Sequence, residues 1–151
     1  MVARLDTHDD RLALALNLEL SGGRHGASAR IELHERPSGR LALIALRGWI
    51  DRGAVQRLDR TLSDLAASGA DQLLLDCSQL SHIDYRLVPL LVDSLARFET
   101  HAGGFVVCGL SHYLRDLFRL AGCEPRLRCW PSAAELLSPV SVLEPGRECA
   151  S

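Results

Sequence analysis

Residues 73–91 read LLLDCSQLSHIDYRLVPLL. An apolar run stops at Asp76, a polar interval follows, and Asp84 opens a second apolar segment. A short continuous apolar run is the pattern of a strand buried on both faces, which places a strand at 72–77. The second segment predicts a helix from about Tyr85 to His101, with Asp84 set to cap its first turn. Pro89 falls in the early turns of that helix, where it removes a backbone hydrogen bond or turns the start into a short 3₁₀ stretch.

The flanking sequence repeats this rhythm on both sides. Upstream, Gly53 to Ser68 carries Ala54, Val55, Leu58, Leu62, Leu65 and Ala66 at helical spacing, with Gly69 as the stop. Before it, residues 29–51 read as two short strands around Pro-Ser-Gly, a hairpin signal. Leucines at 12, 14, 16, 18 and 20 alternate with other residues, which argues for a strand with one leucine face. SGGRHGAS (21–28) is a breaker-rich linker, and residues 1–10 are polar. Downstream, GGFVVCG (103–109) reads as another buried strand, and Ser111 caps a helix that stops at Gly122. RLRCW (126–130) is a short strand, Pro131 begins a last helix to about Leu137, and 138–151 reads as a loose tail. The expected fold is one α/β domain over 29–137, preceded by an N-terminal extension at 1–28. Its sheet is mixed, of four to six strands, parallel through the helical crossovers and antiparallel at the hairpin, with about four helices mainly on one face.

Composition narrows the function. The chain has 151 residues, 47% hydrophobic content and a net charge of -2, which suits one domain with a sizeable core and offers no basic footprint for nucleic acid or anionic lipid. All 17 basic residues are Arg, so Schiff-base and P-loop lysine chemistry are excluded. Aromatics make up 5%, too few for a base-stacking platform. No apolar stretch reaches the roughly 18 residues of a membrane span, and the N-terminus is too acidic for a secretory signal, so a cytoplasmic protein is expected. The five cysteines are odd in number and form no CxxC, which indicates neither a disulfide framework nor a zinc site. Cys77 and Cys108 close apolar runs and read as small buried residues, and Cys123 reads as part of a solvated loop after Gly122.

Phosphate-binding glycine motifs are absent, and Gly103-Gly104 precedes a strand rather than following one, so no nucleotide cofactor is implied. His82 and Asp84 stand two apart with no second ligand cluster, which reads as a polar loop with a cap rather than a metal site. Asp51, Asp76 and Asp84 each fall at an expected strand end or helix start. Such positions converge on one sheet edge in α/β domains, which makes that edge the candidate functional surface and leaves a small acidic enzyme site as a remote alternative.

Three stretches, RGWID (47–51), LLLDCSQLSHID (73–84) and GGFVVCGLSHYLRDLFRLAG (103–122), resemble in order and spacing the motifs of the STAS domain, the module of bacterial anti-sigma factor antagonists. The likeness spans about 30–137. It implies a non-enzymatic protein–protein interaction module that holds no cofactor or metal. The partner implied is a GHKL-type anti-sigma factor or kinase. STAS-like modules also dock on ABC or anion transporters, so a transporter ATPase is the alternative partner. In the antagonists a Ser or Thr directly after the acid at the position of Asp84 is phosphorylated, which ends binding through added charge. This chain reads Asp84-Tyr85-Arg86-Leu87-Val88 there. Tyr85 occupies the acceptor position, and a phenol places its oxygen several ångström further from the backbone. The expected partner surface is Asp51, His82, Asp84, Tyr85 and Arg86, kept for docking and without the usual switch, because Tyr and Arg are enriched at interface hot spots. The N-terminal leucines are expected to extend the sheet edge or to form a homodimer.

Overall fold

The computed structural model describes residues 11–22, 26–123 and 129–130. Six strands lie side by side in chain order: β1 (Arg11–Glu19), β2 (Ser28–Arg36), β3 (Gly39–Ile50), β4 (Gln72–Ile83), β5 (Phe105–Cys108) and β6 (Cys129–Trp130). The first three pair antiparallel, and β3 through β6 pair parallel. The hairpin joining β2 to β3 turns at Pro37-Ser38, as the sequence predicts. Three α-helices are described: α1 (Arg52–Ala67), α2 (Val88–His101) and α3 (His112–Leu120). The fold class read from the sequence holds. The fourth helix and the tail fall outside the described residues, as do residues 1–10 and 126–128.

Parallel crossovers that always step the same way across a sheet deliver their helices to one face. The main core lies there. Ile31, Leu33, Ile44 and Leu46 from the sheet meet Leu58, Leu62, Leu91, Leu95 and Phe98 from the helices, all 6% exposed or less. α1 shows how directly its sequence dictates this. Ala54, Val55, Leu58, Leu62 and Leu65 form one buried stripe, and the Asp51 carboxylate accepts the Ala54 N–H at 2.8 Å to start the helix. A smaller cluster of Leu41, Leu74, Val106 and Cys108 sits apart from it, with Leu43 against it.

Three expectations need correction. β4 does not end at Cys77 but runs on to Ile83, because β3 is long enough to keep pairing and Leu80 and Ile83 continue the buried face. The leucine repeat of β1 is not a single face. A bulge between Leu12 and Leu14 leaves Leu12 opposite His34, whereas Leu14, Leu16 and Leu18 stand opposite Leu33, Ile31 and Ala29. Cys123 is buried, not solvated. Gly122 takes φ +74 at the end of α3, the Cys123 N–H donates to the Phe118 carbonyl at 2.9 Å, and the chain folds back over its own helix.

Candidate functional site

β3 and β4 end level with each other, Ile50 beside Ile83, so Asp51 and Asp84 emerge together at the carboxyl end of the parallel pair. Asp76 does not join them. It lies in the middle of β4, level with Cys108, and its carboxylate accepts the Ser78 N–H at 3.0 Å. The three-acid edge expected from the sequence is therefore a two-acid edge, and Asp51 is already used as a helix cap. No group of three or more His, Cys, Asp or Glu among the described residues is placed to hold a metal ion.

Asp84 was expected to cap α2. It caps instead a 3₁₀ turn, Tyr85–Leu87, that precedes α2, with its Oδ1 accepting the Arg86 N–H at 2.9 Å. Pro89 sits in the first turn of α2, where its missing N–H costs nothing, and this division lets the chain turn sharply off the strand. The Arg86 guanidinium folds back onto the same carboxylate at 2.8 Å. That contact, followed by the backbone hydrogen bond, lowers the Asp84 pKa to about 2. Asp84 is therefore an anion at any physiological pH, and what it contributes to the turn is lost only as pH falls below the ordinary carboxylate range toward 2. Removing the guanidinium with Arg86→Met is expected to move the Asp84 midpoint up toward the usual value of about 3.9, read by NMR titration of the side-chain carbon. An unmoved midpoint would assign the shift to the turn backbone alone.

Tyr85, released by this turn, is 55% exposed. Beside it the structure gathers side chains that the sequence reading did not connect. Trp49 is the ladder partner of His82, and their rings lie 5.0 Å apart. His82 in turn stacks on Tyr113, the second residue of α3, at 5.7 Å. The Tyr113 hydroxyl and His82 Nδ1 share a 2.5 Å hydrogen bond. Gly48 makes this arrangement possible. It adopts φ +85 at a bulge in β3, and a Cβ there would lie 2.2 Å from the Gly26 carbonyl oxygen. The bulge turns Trp49 toward His82, and the residue stays 45% exposed. Next to these rings a shallow depression of about 460 Å³ is lined by His82, Asp84, Tyr85, Arg86 and Leu117.

Sequence signals for the missed residues did exist. Leu114 and Phe118 define the buried stripe of α3, and Tyr113 falls off it. A large aromatic off the apolar stripe, in a chain with two Tyr and two Trp, is an economical marker of a surface with a use. Elsewhere, the groove between α1 and α2 has its polar groups turned on one another, Arg97 meeting Asp59 at 2.5 Å and Ser94 at 3.2 Å. The thiols of Cys77 and Cys108 are unsuited to nucleophilic work, since burial pushes both up, that of Cys108 to about 12.

Comparison with known proteins agrees with this architecture. No curated protein matches the chain. An anti-sigma factor antagonist from Mycobacterium paratuberculosis superposes with TM-score 0.62 at 16% identity, over 77% of this chain and 95% of its own. The anti-sigma factor antagonist SpoIIAA in its unphosphorylated form gives 0.53 at 22% identity, over 67% of this chain and 88% of its own. The murine Solute Carrier 26 family member A9 anion transporter gives 0.52 at 11% identity, over 88% of this chain but 21% of the transporter. The family described as Mlab, STAS domain matches residues 33–128, and on that match over most of its length the chain belongs to the STAS domain family.

Proposed function

We propose that this chain is a non-enzymatic, cytoplasmic regulatory module that binds a protein partner through the exposed aromatic surface at the carboxyl end of β3 and β4. One observation carries the reading. Trp49, Tyr85 and Tyr113, three exposed aromatic side chains of a chain that is 5% aromatic, stand around His82 at the junction where Asp84 and Arg86 are fixed. Rigid aromatics with Arg at a rim are what interface hot spots are made of. Tyr85, His82, Asp84 and Arg86 form the contact, and Asp51 borders it as the cap of α1.

The partner is a GHKL-type anti-sigma factor or kinase, the class that the likeness to the antagonists favours. A membrane transporter, an anion transporter or the ATPase of an ABC transporter, is the second reading, and the fold shared with part of an anion transporter favours it. Affinity capture with the wild-type chain beside a Tyr85→Ala control separates them by whether a GHKL-type kinase or a transporter component is retained by the first and lost by the second.

The surface works without a serine or threonine switch. Ser81 and Ser94 are the only hydroxyl groups of that type between 81 and 94. Ser94 is 3% exposed with its hydroxyl against Arg97, and Ser81 precedes the acid instead of following it. Incubation with the captured partner and Mg-ATP is expected to leave both unmodified by mass spectrometry. Stoichiometric phosphate on either would restore the ordinary switch.

A further inference from the structure

We infer that the chain's own C-terminal segment, from Pro131 onward, lies across the sheet face opposite the helices and seals it. α1, α2 and α3 all bury their apolar stripes in the main core, on one side of the sheet. On the other side stand Leu41, Leu74, Val106 and Cys108, which alternate along their strands with core residues. They are only 4%, 3%, 8% and 0% exposed, and all four residues of β5 are buried. A strand that is apolar on both faces needs a layer on each. The helices supply one layer, and no described element supplies the other. Arg36 marks the same cover. Its side chain reaches Gln72 at the border of the patch, and its Nε and Nη1 are withdrawn from solvent.

The patch has the size and place that this segment can cover. Its far border is β2, where Arg30, Glu32 and His34 face the same way and Glu32 binds both neighbours, at 2.9 and 2.8 Å. The apolar span therefore runs only from β5 to β3, two strand spacings of about 4.8 Å. β6 pairs with β5 beside Cys108 and ends at Trp130, so residues 131–151 start at the edge of the patch. PSAAELL (131–137), read as helix, is about 10 Å long, the same span. With the following SPVSVLE it brings Leu136, Leu137, Val140, Val142 and Leu143, apolar groups for an apolar face. The other chain end does not suit. MVARLDTHDD (1–10) is mostly polar and joins the sheet at Arg11 on β1, beyond the polar border of β2. Residues 23–25 and 124–128 are short links between described residues.

Cys108 reports the cover, because its thiol belongs to the patch. In the full chain it is expected to resist N-ethylmaleimide, with the alkylated positions mapped by peptide mass spectrometry. Deletion of 131–151 is expected to speed its alkylation about tenfold or more while the circular dichroism stays that of a folded domain. Leu136→Arg with Leu137→Arg is expected to do the same. Hydrogen exchange on the intact chain needs no variant: amides within 131–143 are expected to be protected, which decides the matter even where a truncated chain fails to fold. Free-chain exchange over 131–143 overturns the proposal, as does a folded deletion variant whose Cys108 stays sealed. Light scattering identifies the remaining occupant. A dimer whose dilution to monomer opens Cys108 makes a second copy the cover, and overturns the proposal too.

Discussion

Tyr85→Ala is expected to weaken partner binding by about 2 kcal/mol, roughly thirtyfold in Kd, and to leave the melting temperature nearly unchanged. The asymmetry follows from where the ring sits. Tyr85 is an exposed residue outside the core, so truncation opens no cavity there. The turn that presents it is held by groups the substitution keeps: the Leu87 N–H donates to the Asp84 carbonyl at 2.8 Å, and the Arg86 N–H donates to the Asp84 carboxylate. Calorimetric titration of the partner and a thermal melt read the two effects separately. Unchanged affinity beside a large fall in melting temperature would make Tyr85 packing material for the sheet edge.

Phe118→Ala is expected to do the opposite, costing about 3–5 kcal/mol of stability. That loss corresponds to a fall of about 10 °C in melting temperature for a chain of this size. Phe118 is 1% exposed, and with Leu114 it is one of two buried side chains holding the nine residues of α3 to the domain. The folded-back Cys123 closes over the end of the same helix. Loosening α3 also withdraws Tyr113 from His82, so the variant is expected to bind its partner less well even at temperatures where it remains folded. Chemical denaturation gives the stability change, and titration of the folded fraction gives the binding change. A stable variant would mean that α3 is held by something other than its apolar stripe.

The sequence carried most of the architecture because its signals are local. LLL at 73–75 and FVV at 105–107 are short apolar runs bounded by turn and polar residues, which read as interior strands, and the stripe in α1 has one buried reading. The extension of β4 was hidden because Ser78, Gln79, Ser81 and His82 are polar, and their ladder depends on the length of β3, which is a non-local fact. The bulge in β1 was hidden for the same reason: LALALNL alternates without a break, and only its register against β2 shows Leu12 crossing over. Around the candidate site, Asp84, Tyr85 and Arg86 were legible because an acid at a strand-to-helix junction is a local feature. Trp49 and Tyr113 were not, since they come to His82 only through the β3–β4 ladder and the docking of α3. The Asp76 error has a single cause. Once the strand is drawn too short, a residue in its middle looks like a residue at its end.

This surface is expected to dock a partner and not to be switched off by it. The direct measurement is the binding isotherm of the captured ATP-dependent partner, taken with the chain before and after incubation of the two with Mg-ATP. The two isotherms are expected to coincide, and both to be lost on Tyr85→Ala. A fall in affinity after incubation, with phosphate found on the chain, would contradict the account.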